Sequence, residues 1–311
     1  MRNGSLKVYI IAITALLIVC GSLGAGWGSS ATEVRLGIPP RLQWNNSEGF
    51  CGETDIQMAA LYYGTYISQY QVRKLSGGEL LVSENDAPVY KALGLKTDVW
   101  NAGSPKPQWR SYLSWVKKNL IQGHPVMMTV FVRGMNFPTY DHIVPVVGFG
   151  GQAADGYDPN DRITFYDNFR KTLYTRTFGS LPDTRAMNGN GATEKYCVPQ
   201  EVDYGCAVTG IVDANRETVP VRLWLDSWSE PNVSLKEKPK TFNTAVAVSD
   251  LVVGKKYLLL RYNDYHKLPE SCFANSHSDK TVVFTATAKN MTFYDGIRSD
   301  SIAIYRCVLK K

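Results

Sequence analysis

The sequence predicts an α+β fold, in which a mixed helix-and-strand segment is followed by a segment of strands alone. Two helical patterns come first: an apolar stretch over residues 52–63 and a helix with an apolar stripe over 109–122. Runs rich in β-branched residues then extend from Val126 to Val212. Beyond residue 217, short alternating strands separated by polar turns are typical of a β-sandwich.

Residues 1–31 are predicted to form a secretory signal peptide. Two basic residues precede an apolar run over 8–20, and small residues follow it. The run is shorter than the roughly 20 apolar residues that a spanning helix needs. We therefore expect a secreted, extracellular or cell-surface protein. The alternatives are an uncleaved membrane anchor and, because of Cys20, a lipoprotein signal, although Val19 is larger than the residue preferred before such a cysteine.

Composition argues against several functions. Loss of Arg2 and Lys7 with the signal lowers the net charge from +6 by two, and no dense basic patch indicates nucleic-acid binding. No glycine-rich loop that could hold a phosphate precedes a helix, so no nucleotide is predicted. The four histidines are scattered, and no Cys/His cluster has metal-ligand spacing. We expect no cofactor and no metal.

An odd number of cysteines follows the signal, which in a secreted protein implies a leftover thiol. They are Cys51, Cys197, Cys206, Cys272 and Cys307. Cys197 and Cys206 are predicted to pair across a polar loop, and Cys272 and Cys307 to pair near the C-terminus. Cys51 is then free, although other pairings, or a buried structural role for Cys51, remain open.

Three sequons follow the signal, at Asn45, Asn232 and Asn290. In a eukaryotic secretory pathway these asparagines would accept glycans on the protein surface. The sequence therefore predicts a glycoprotein with disulfide bonds, and a glycan on Asn45 would lie close to Cys51.

The stretch that begins at Cys51 is predicted to be a central, buried helix because it is apolar on nearly every side. Glu53 and Asp55 lie in its first turn, where the helix dipole favours acids, and Gly64 is a plausible stop. The dipole would also favour a thiolate on Cys51, which the two acids would oppose if they pointed toward it.

Predicted strands follow the helix over 109–122, and a long surface loop over 179–206 interrupts them. The strands of the first segment are expected at 126–132, 142–149, 163–167, 172–178 and 207–212. A domain boundary is placed near 215–218. Strands of the β-sandwich are expected at 221–225, 242–248, 256–262, 281–288 and 302–307.

The order of a helix opening with Cys, then strands carrying His and Asp, resembles the papain-fold cysteine peptidases. The local motifs are most similar to the C-39-like branch, named for bacteriocin-processing peptidases. They are Gln43, Phe50-Cys51-Gly52-Glu53, Met58, Tyr62-Tyr63-Gly64, Asp141-His142-Ile143-Val144-Pro145-Val146-Val147-Gly148 and Phe165-Tyr166-Asp167-Asn168. The resemblance covers residues 38 to about 212. It implies a peptidase domain over 32–216 and leaves the β-sandwich over 217–311 outside it.

The resemblance implies a role for each of four residues. Cys51 would be the nucleophile and His142 the general base that later protonates the leaving group. Asp167 would orient the imidazole. The side-chain amide of Gln43 would stabilise the oxyanion together with the Cys51 backbone N–H. The implied function is a secreted cysteine peptidase with a peptide or protein substrate.

Several alternatives stay open at this point. Gln57 is a second candidate for the oxyanion donor, and Asn168 and Asp158 compete with Asp167 for the orienting role. Pro145 interrupts the strand that carries the histidine. A different class of function is a catalytically inactive binding or adhesion protein that kept the papain-like fold. The β-sandwich motivates this hypothesis, because it could bind a cell-surface or matrix partner.

Overall fold

A computed structural model describes residues 31–44, 49–80, 82–132, 141–153, 155–169, 172–181, 196–225 and 239–311. The helices are α1 Cys51–Tyr62, α2 Gln69–Ser76, α3 Ala87–Ala92 and α4 Trp109–Ile121. The strands of the first half are β1 Ala31–Arg35, β2 Thr65–Ile67, β3 Leu95–Val99, β4 Val126–Val132, β5 Asp141–Gln152, β6 Arg162–Asp167, β7 Thr172–Thr177, β8 Tyr196–Cys197 and β9 Gly205–Ile211. Those of the second half are β10 Thr218–Val219, β11 Val221–Leu225, β12 Thr241–Val248, β13 Lys256–Tyr262, β14 Lys280–Thr285, β15 Met291–Arg298 and β16 Ile302–Leu309.

The predicted α+β class is confirmed, because the four helices accompany sheets that are antiparallel throughout the described pairings. The largest sheet has the order β3-β9-β4-β5-β6-β7, with β1 paired to β5 and β8 to β4. A second sheet has the order β10-β16-β13-β14, with β2 paired to β16, and a third has the order β11-β12-β15. The second and third sheets share one hydrophobic core.

Helix α1 is buried along its length, as its all-round apolar pattern predicts. Its side chains enter three hydrophobic clusters: Met58 joins the core under α4, Ile56 joins the core beside α3, and Leu61 joins the core of the C-terminal sheets. Gly64, with φ +68°, follows the helix where a Cβ would lie 2.9 Å from Val221. The glycine therefore both ends the helix and lets the chain turn against β11.

Helix α4 packs on the largest sheet through its predicted stripe. Tyr112, Leu113, Val116 and Leu120 are buried in one cluster with residues of β4, β5 and β6. Beside this stripe, Lys117 and Asp161 form a buried ion pair at 2.6 Å. These contacts cover one face of the sheet, and α1 covers part of the other. The sheet therefore holds β5, which carries His142, in a rigid position.

The two halves of the chain are joined through shared strands and cores. β2 pairs with β16, so that Ile67 lies opposite Ile302. Tyr66 is buried among residues of the C-terminal sheets, and its hydroxyl donates to the Ser299 carbonyl at 2.9 Å. Arg306 of β16 donates to the Tyr63 carbonyl at 3.1 Å. The C-terminal strands therefore complete the core around α1 and β2.

Neither predicted cysteine pair is bonded: no disulfide joins any two of the five cysteines in the described part of the chain. Cys197 lies opposite Phe131 and Cys206 opposite Met127, both along β4. Four strand positions separate the two sites by about 13 Å, beyond the roughly 7 Å Cα separation that a disulfide spans. The spacing of the two cysteines in the sequence does not show that both lie beside β4, four strand positions apart.

The second predicted pair is also absent, because Cys272 is exposed in a turn and Cys307 is fully buried in β16. Of the other N-terminal predictions, residues 1–30 and the sequons at Asn45 and Asn232 lie outside the described residues. Within the described part of the chain, no helix is both long and apolar enough to cross a membrane.

Candidate functional site

Cys51 is the first residue of α1, and its surroundings fix the start of the helix. The Thr54 N–H and hydroxyl both donate to the Phe50 carbonyl, at 3.0 and 2.6 Å. The buried Phe50 ring lies between the Trp44 ring, at 5.0 Å, and the Arg73 guanidinium, at 3.5 Å. Since the first N–H groups of a helix have no intrahelical acceptor, this rigid turn presents free donors beside the thiol.

Gln43 lies next to this helix start in a segment that two hydrogen bonds hold in place. The Gln69 side chain of α2 donates to the Leu42 carbonyl and accepts from the Trp44 N–H, each at 2.8 Å. The Gln43 N–H itself donates to the Asn168 carbonyl at 2.7 Å. The buried Oε1 of Gln43 has no hydrogen-bond partner among the described residues. The backbone of Gln43 is therefore fixed, and its side-chain oxygen is available to an incoming group.

His142 lies near the start of β5 and is fully buried. Its ring stacks on Phe169 with centroids 4.3 Å apart, and the Tyr196 ring lies 6.2 Å away. Side chains alternate along a strand, so the imidazole leaves β5 on the side opposite to Ile143. The Ile143 side chain faces α1, because a Cβ on Gly52 would lie 3.2 Å from it.

Asn168, just beyond β6, connects the start of α1 to β5. Its Nδ2 donates to the Cys51 carbonyl at 3.3 Å, to Asp55 Oδ1 at 2.8 Å and to the Ile143 carbonyl at 3.0 Å. With these oxygens around Nδ2, Oδ1 is the remaining polar atom of the amide, and it accepts no hydrogen bond among the described residues. Hydrogen bonding to Asn168 does raise the pKa of His142, against the larger effect of burial. Asn168 is thus the side chain that relates the thiol helix to the histidine.

The other candidate residues make different contacts. Asp167 Oδ1 accepts from the Phe169 N–H at 2.8 Å, and its buried Oδ2 has no partner among the described residues. Asp158 caps its own turn by accepting from the Asn160 N–H at 2.8 Å. Gln57 donates to the Ile67 carbonyl at 2.6 Å, so its amide joins α1 to β2. None of these contacts involves the thiol.

Burial raises the pKa of the Cys51 thiol to about 12. A hydrogen bond from the Ile143 N–H acts in the opposite direction, the charges of Asp55 and Glu53 raise the pKa further, and a hydrogen bond from the Gly52 N–H lowers it. The Ile143 bond places Sγ against β5, one residue from His142. The thiol is therefore neutral at rest, even though two backbone donors are aimed at the sulfur.

Burial also lowers the pKa of His142 to about 3. The imidazole is therefore neutral at physiological pH. Burial raises the pKa of Asp55 well above its usual range, with the Asn168 hydrogen bond opposing this effect. Asp55 lies four positions after Cys51, on the same face of α1.

Three supporting contacts of this site had little or no signal in the sequence. Glu53 accepts from Arg73 of α2 at 2.6 Å, and this bond holds α1 to α2. The two hydrogen bonds of the Gln69 side chain and the Asp55–Asn168 hydrogen bond join residues far apart in sequence, so no local pattern predicts them.

Within the described residues, no group of three or more His, Cys, Asp or Glu side chains is arranged to hold a metal ion.

Comparison with known proteins leaves the family open. No protein-family model matches the chain, and no curated protein matches it.

Proposed function

We propose that the chain is a thiol-dependent hydrolase that cleaves peptide or related amide bonds with a papain-like domain. The observation that supports this proposal most is the position of Asn168, whose amide contacts the Cys51 backbone and the Ile143 backbone beside His142. A nucleophile, a base and an orienting group would then come from α1, β5 and the end of β6, in the order that the resemblance to C-39-like peptidases implies.

The chemistry would proceed by acyl transfer. As Sγ of Cys51 attacks the substrate carbonyl carbon, the thiol proton moves to the His142 imidazole. The developing oxyanion would be bound by the Cys51 N–H and the Gln43 side-chain amide. When the C–N bond breaks, the amine takes the proton from the imidazolium, and a water activated by His142 then hydrolyses the thioester.

Because the pKa of His142 is lowered and the pKa of Cys51 is raised, both side chains are neutral at rest. The thiol proton would therefore move to the imidazole only during the reaction. Each ion alone would be costly in this buried site, but the imidazolium and thiolate would stabilise each other once both form. Asn168 would keep the imidazole in the tautomer that accepts the thiol proton. We therefore assign the orienting role to Asn168 in place of Asp167.

The experiment is a comparison of cysteine variants on a broad peptide library, with products read by mass spectrometry. We expect Cys51→Ala to abolish cleavage and Cys272→Ala, which removes an exposed thiol in a turn, to leave it unchanged. The proposal fails if cleavage by the Cys51→Ala protein equals that of the wild type. A catalytic thiol also predicts that iodoacetamide stops cleavage by the wild-type protein, because it alkylates Cys51.

A second candidate function is a binding or adhesion protein that lacks catalysis. The complete burial of His142 beneath Phe169 favours it, because the ring leaves β5 on the side away from Ile143 and α1. This candidate predicts that His142→Ala leaves the pH dependence of Cys51 alkylation unchanged. A hydrolase predicts that the same substitution slows alkylation of Cys51.

We also propose that the protein is exported, on the pattern of its first 31 residues. The sequon asparagine Asn290 is exposed in the turn between β14 and β15, where a glycan could be attached. A surface or matrix partner for the C-terminal strands remains a prediction. Export is tested by N-terminal sequencing of the protein recovered from the medium of secreting cells.

A further inference from the structure

A cavity of about 420 Å³ lies between the two halves of the chain, at the end of α1 away from Cys51. Tyr62, at that end, is eleven residues from Cys51, about 17 Å along the helix axis. The cavity walls come from α1, β9, β11 and β16, and they include Arg222, Arg306 and His124. No aspartate or glutamate is among the described residues that line it.

Arg306 is a buried cation in this wall that no carboxylate neutralises. Its guanidinium donates to the carbonyls of Tyr63, Tyr305 and Leu93, at 3.1, 2.8 and 3.4 Å, and to the Thr65 hydroxyl at 3.4 Å. Its buried Nε has no acceptor among the described residues. A buried charge without an ion partner is costly, so this arginine indicates a missing counter-charge.

Arg222 is a second cation in the same wall and is only half-buried. Its Nη2 donates to the Tyr62 hydroxyl at 3.0 Å, and its guanidinium lies 4.2 Å from the centroid of that ring. The stacked ring fixes the plane of the guanidinium, and its other N–H groups have no acceptor among the residues that the structure describes. In the described part of the chain, no carboxylate lies within ion-pair distance of either arginine.

Asp213 is the carboxylate that acts on Arg306 from a distance, and its charge raises the arginine pKa against the larger lowering by burial. Both oxygens of Asp213 are already engaged, because Oδ1 accepts from the Glu217 N–H and Oδ2 accepts from the Thr218 N–H and hydroxyl. Asp213 therefore stabilises the turn before β10 and does not occupy the cavity.

We propose that this cavity binds a small organic anion through a carboxylate or phosphate group. Arginine forks recognise both groups through paired hydrogen bonds. The anion would pair with the N–H groups of Arg222 that have no acceptor among the described residues and offset the charge of Arg306, while the Thr209 side chain of the lining offers a further hydrogen bond. A volume of about 420 Å³ lies within the range of small-molecule sites. The site is separate from Cys51, so it stands whether or not the chain is a hydrolase.

Titration calorimetry of the full secreted chain with inorganic phosphate and with citrate tests the proposal, at an ionic strength held constant with sodium chloride. We expect saturable binding of at least one anion, weakened at least tenfold by Arg222→Gln. Phosphate alone, citrate alone or both binding would identify the group that is recognised. Arg298→Gln is the matched control, because Arg298 is an exposed arginine paired with Asp300 outside the cavity.

Circular dichroism establishes whether Arg222→Gln is folded. If it is not, Arg222→Lys takes its place, since lysine keeps the charge but loses the planar fork, and we expect a several-fold weaker affinity. The proposal is overturned if neither anion binds saturably. It is equally overturned if the folded Arg222 variant binds as the wild type does, or if Arg298→Gln weakens binding to the same extent.

Discussion

Asn168 donates from its side-chain amide to the backbone carbonyl of Cys51 at 3.3 Å, across 117 positions of sequence. The same amide nitrogen contacts Asp55 and the Ile143 carbonyl. Because these oxygens determine which end of the amide faces α1, they also determine that Oδ1 faces away from it. The orientation of the amide thus follows from acceptors on two different elements.

This arrangement predicts different effects for two adjacent residues. Asn168→Ala should lower kcat at least about 100-fold, the low end of what a positioned acid–base group contributes, because the imidazole loses the side chain that we propose orients it during the reaction. Asp167→Asn should change kcat only several-fold, since Asp167 accepts from the Phe169 backbone. Steady-state kinetics on the best library peptide measures both. The reverse ranking would restore the orienting role to Asp167.

Gln69 provides a second test, because it holds the backbone on both sides of Gln43 without being placed at the reacting atoms. Gln69→Ala should lower kcat about tenfold, because the backbone beside Gln43 loses two hydrogen bonds. The Gln43 side chain itself is not changed by this substitution. Gln71→Ala is the matched control on the same helix, since its amide contacts the Asp300 carbonyl. If both variants lose activity equally, general destabilisation of α2 explains the loss, and thermal unfolding would show this directly.

The sequence predicted the long elements well because their patterns are local. The all-round apolar character of α1 and the β-branched runs of β4 and β13 gave their positions to within a few residues. Helix α2 was not predicted, because only Gln69 and Val72 of its residues are buried and no apolar stripe results. β2 is three residues long and pairs with β16 from the far end of the chain, so no local pattern indicates it.

The site was predicted less completely, for a geometric reason. Cys51, His142 and Gln43 stay predictions from their motifs, and the choice between Asp167 and Asn168 depends on how β6 ends. Alternation along β6 buries Asp167 on the same side as Phe165. The turn that follows then directs Asn168 toward α1. A one-residue difference at the end of a strand reverses the direction of a side chain, and the sequence alone does not determine it.

The buried imidazole predicts a pH dependence of stability. The pKa of His142 is about 3 when folded and 6.5 for the unperturbed group. Between these values the unfolded chain binds more protons, so stability rises with pH from about 3 to 6.5 and is lost on acidification. At about 1.4 kcal/mol per pH unit the total effect is about 5 kcal/mol.

His142→Gln should remove this slope, and urea unfolding at a series of pH values from 4 to 7 measures it. The raised pKa values of Asp55 and Glu53 act in the opposite direction above about pH 4, so the difference between wild type and variant is the informative quantity. His277→Gln, which alters an exposed histidine in a loop before β14, is the control. Parallel wild-type and His142→Gln curves would show that the imidazole is hydrated and protonates normally.

Truncation after residue 216 tests whether the C-terminal strands are structural. The truncated chain would lose the pairing of β2 with β16 and expose Leu61 and Tyr66, which are buried among the C-terminal sheets. It would also leave the Tyr63 carbonyl without its bond from Arg306. We therefore expect a chain that does not fold cooperatively, as measured by circular dichroism and thermal unfolding. A sharp unfolding transition in the truncated chain, with Cys51 still protected from alkylation, would instead identify residues 32–216 as an independent domain.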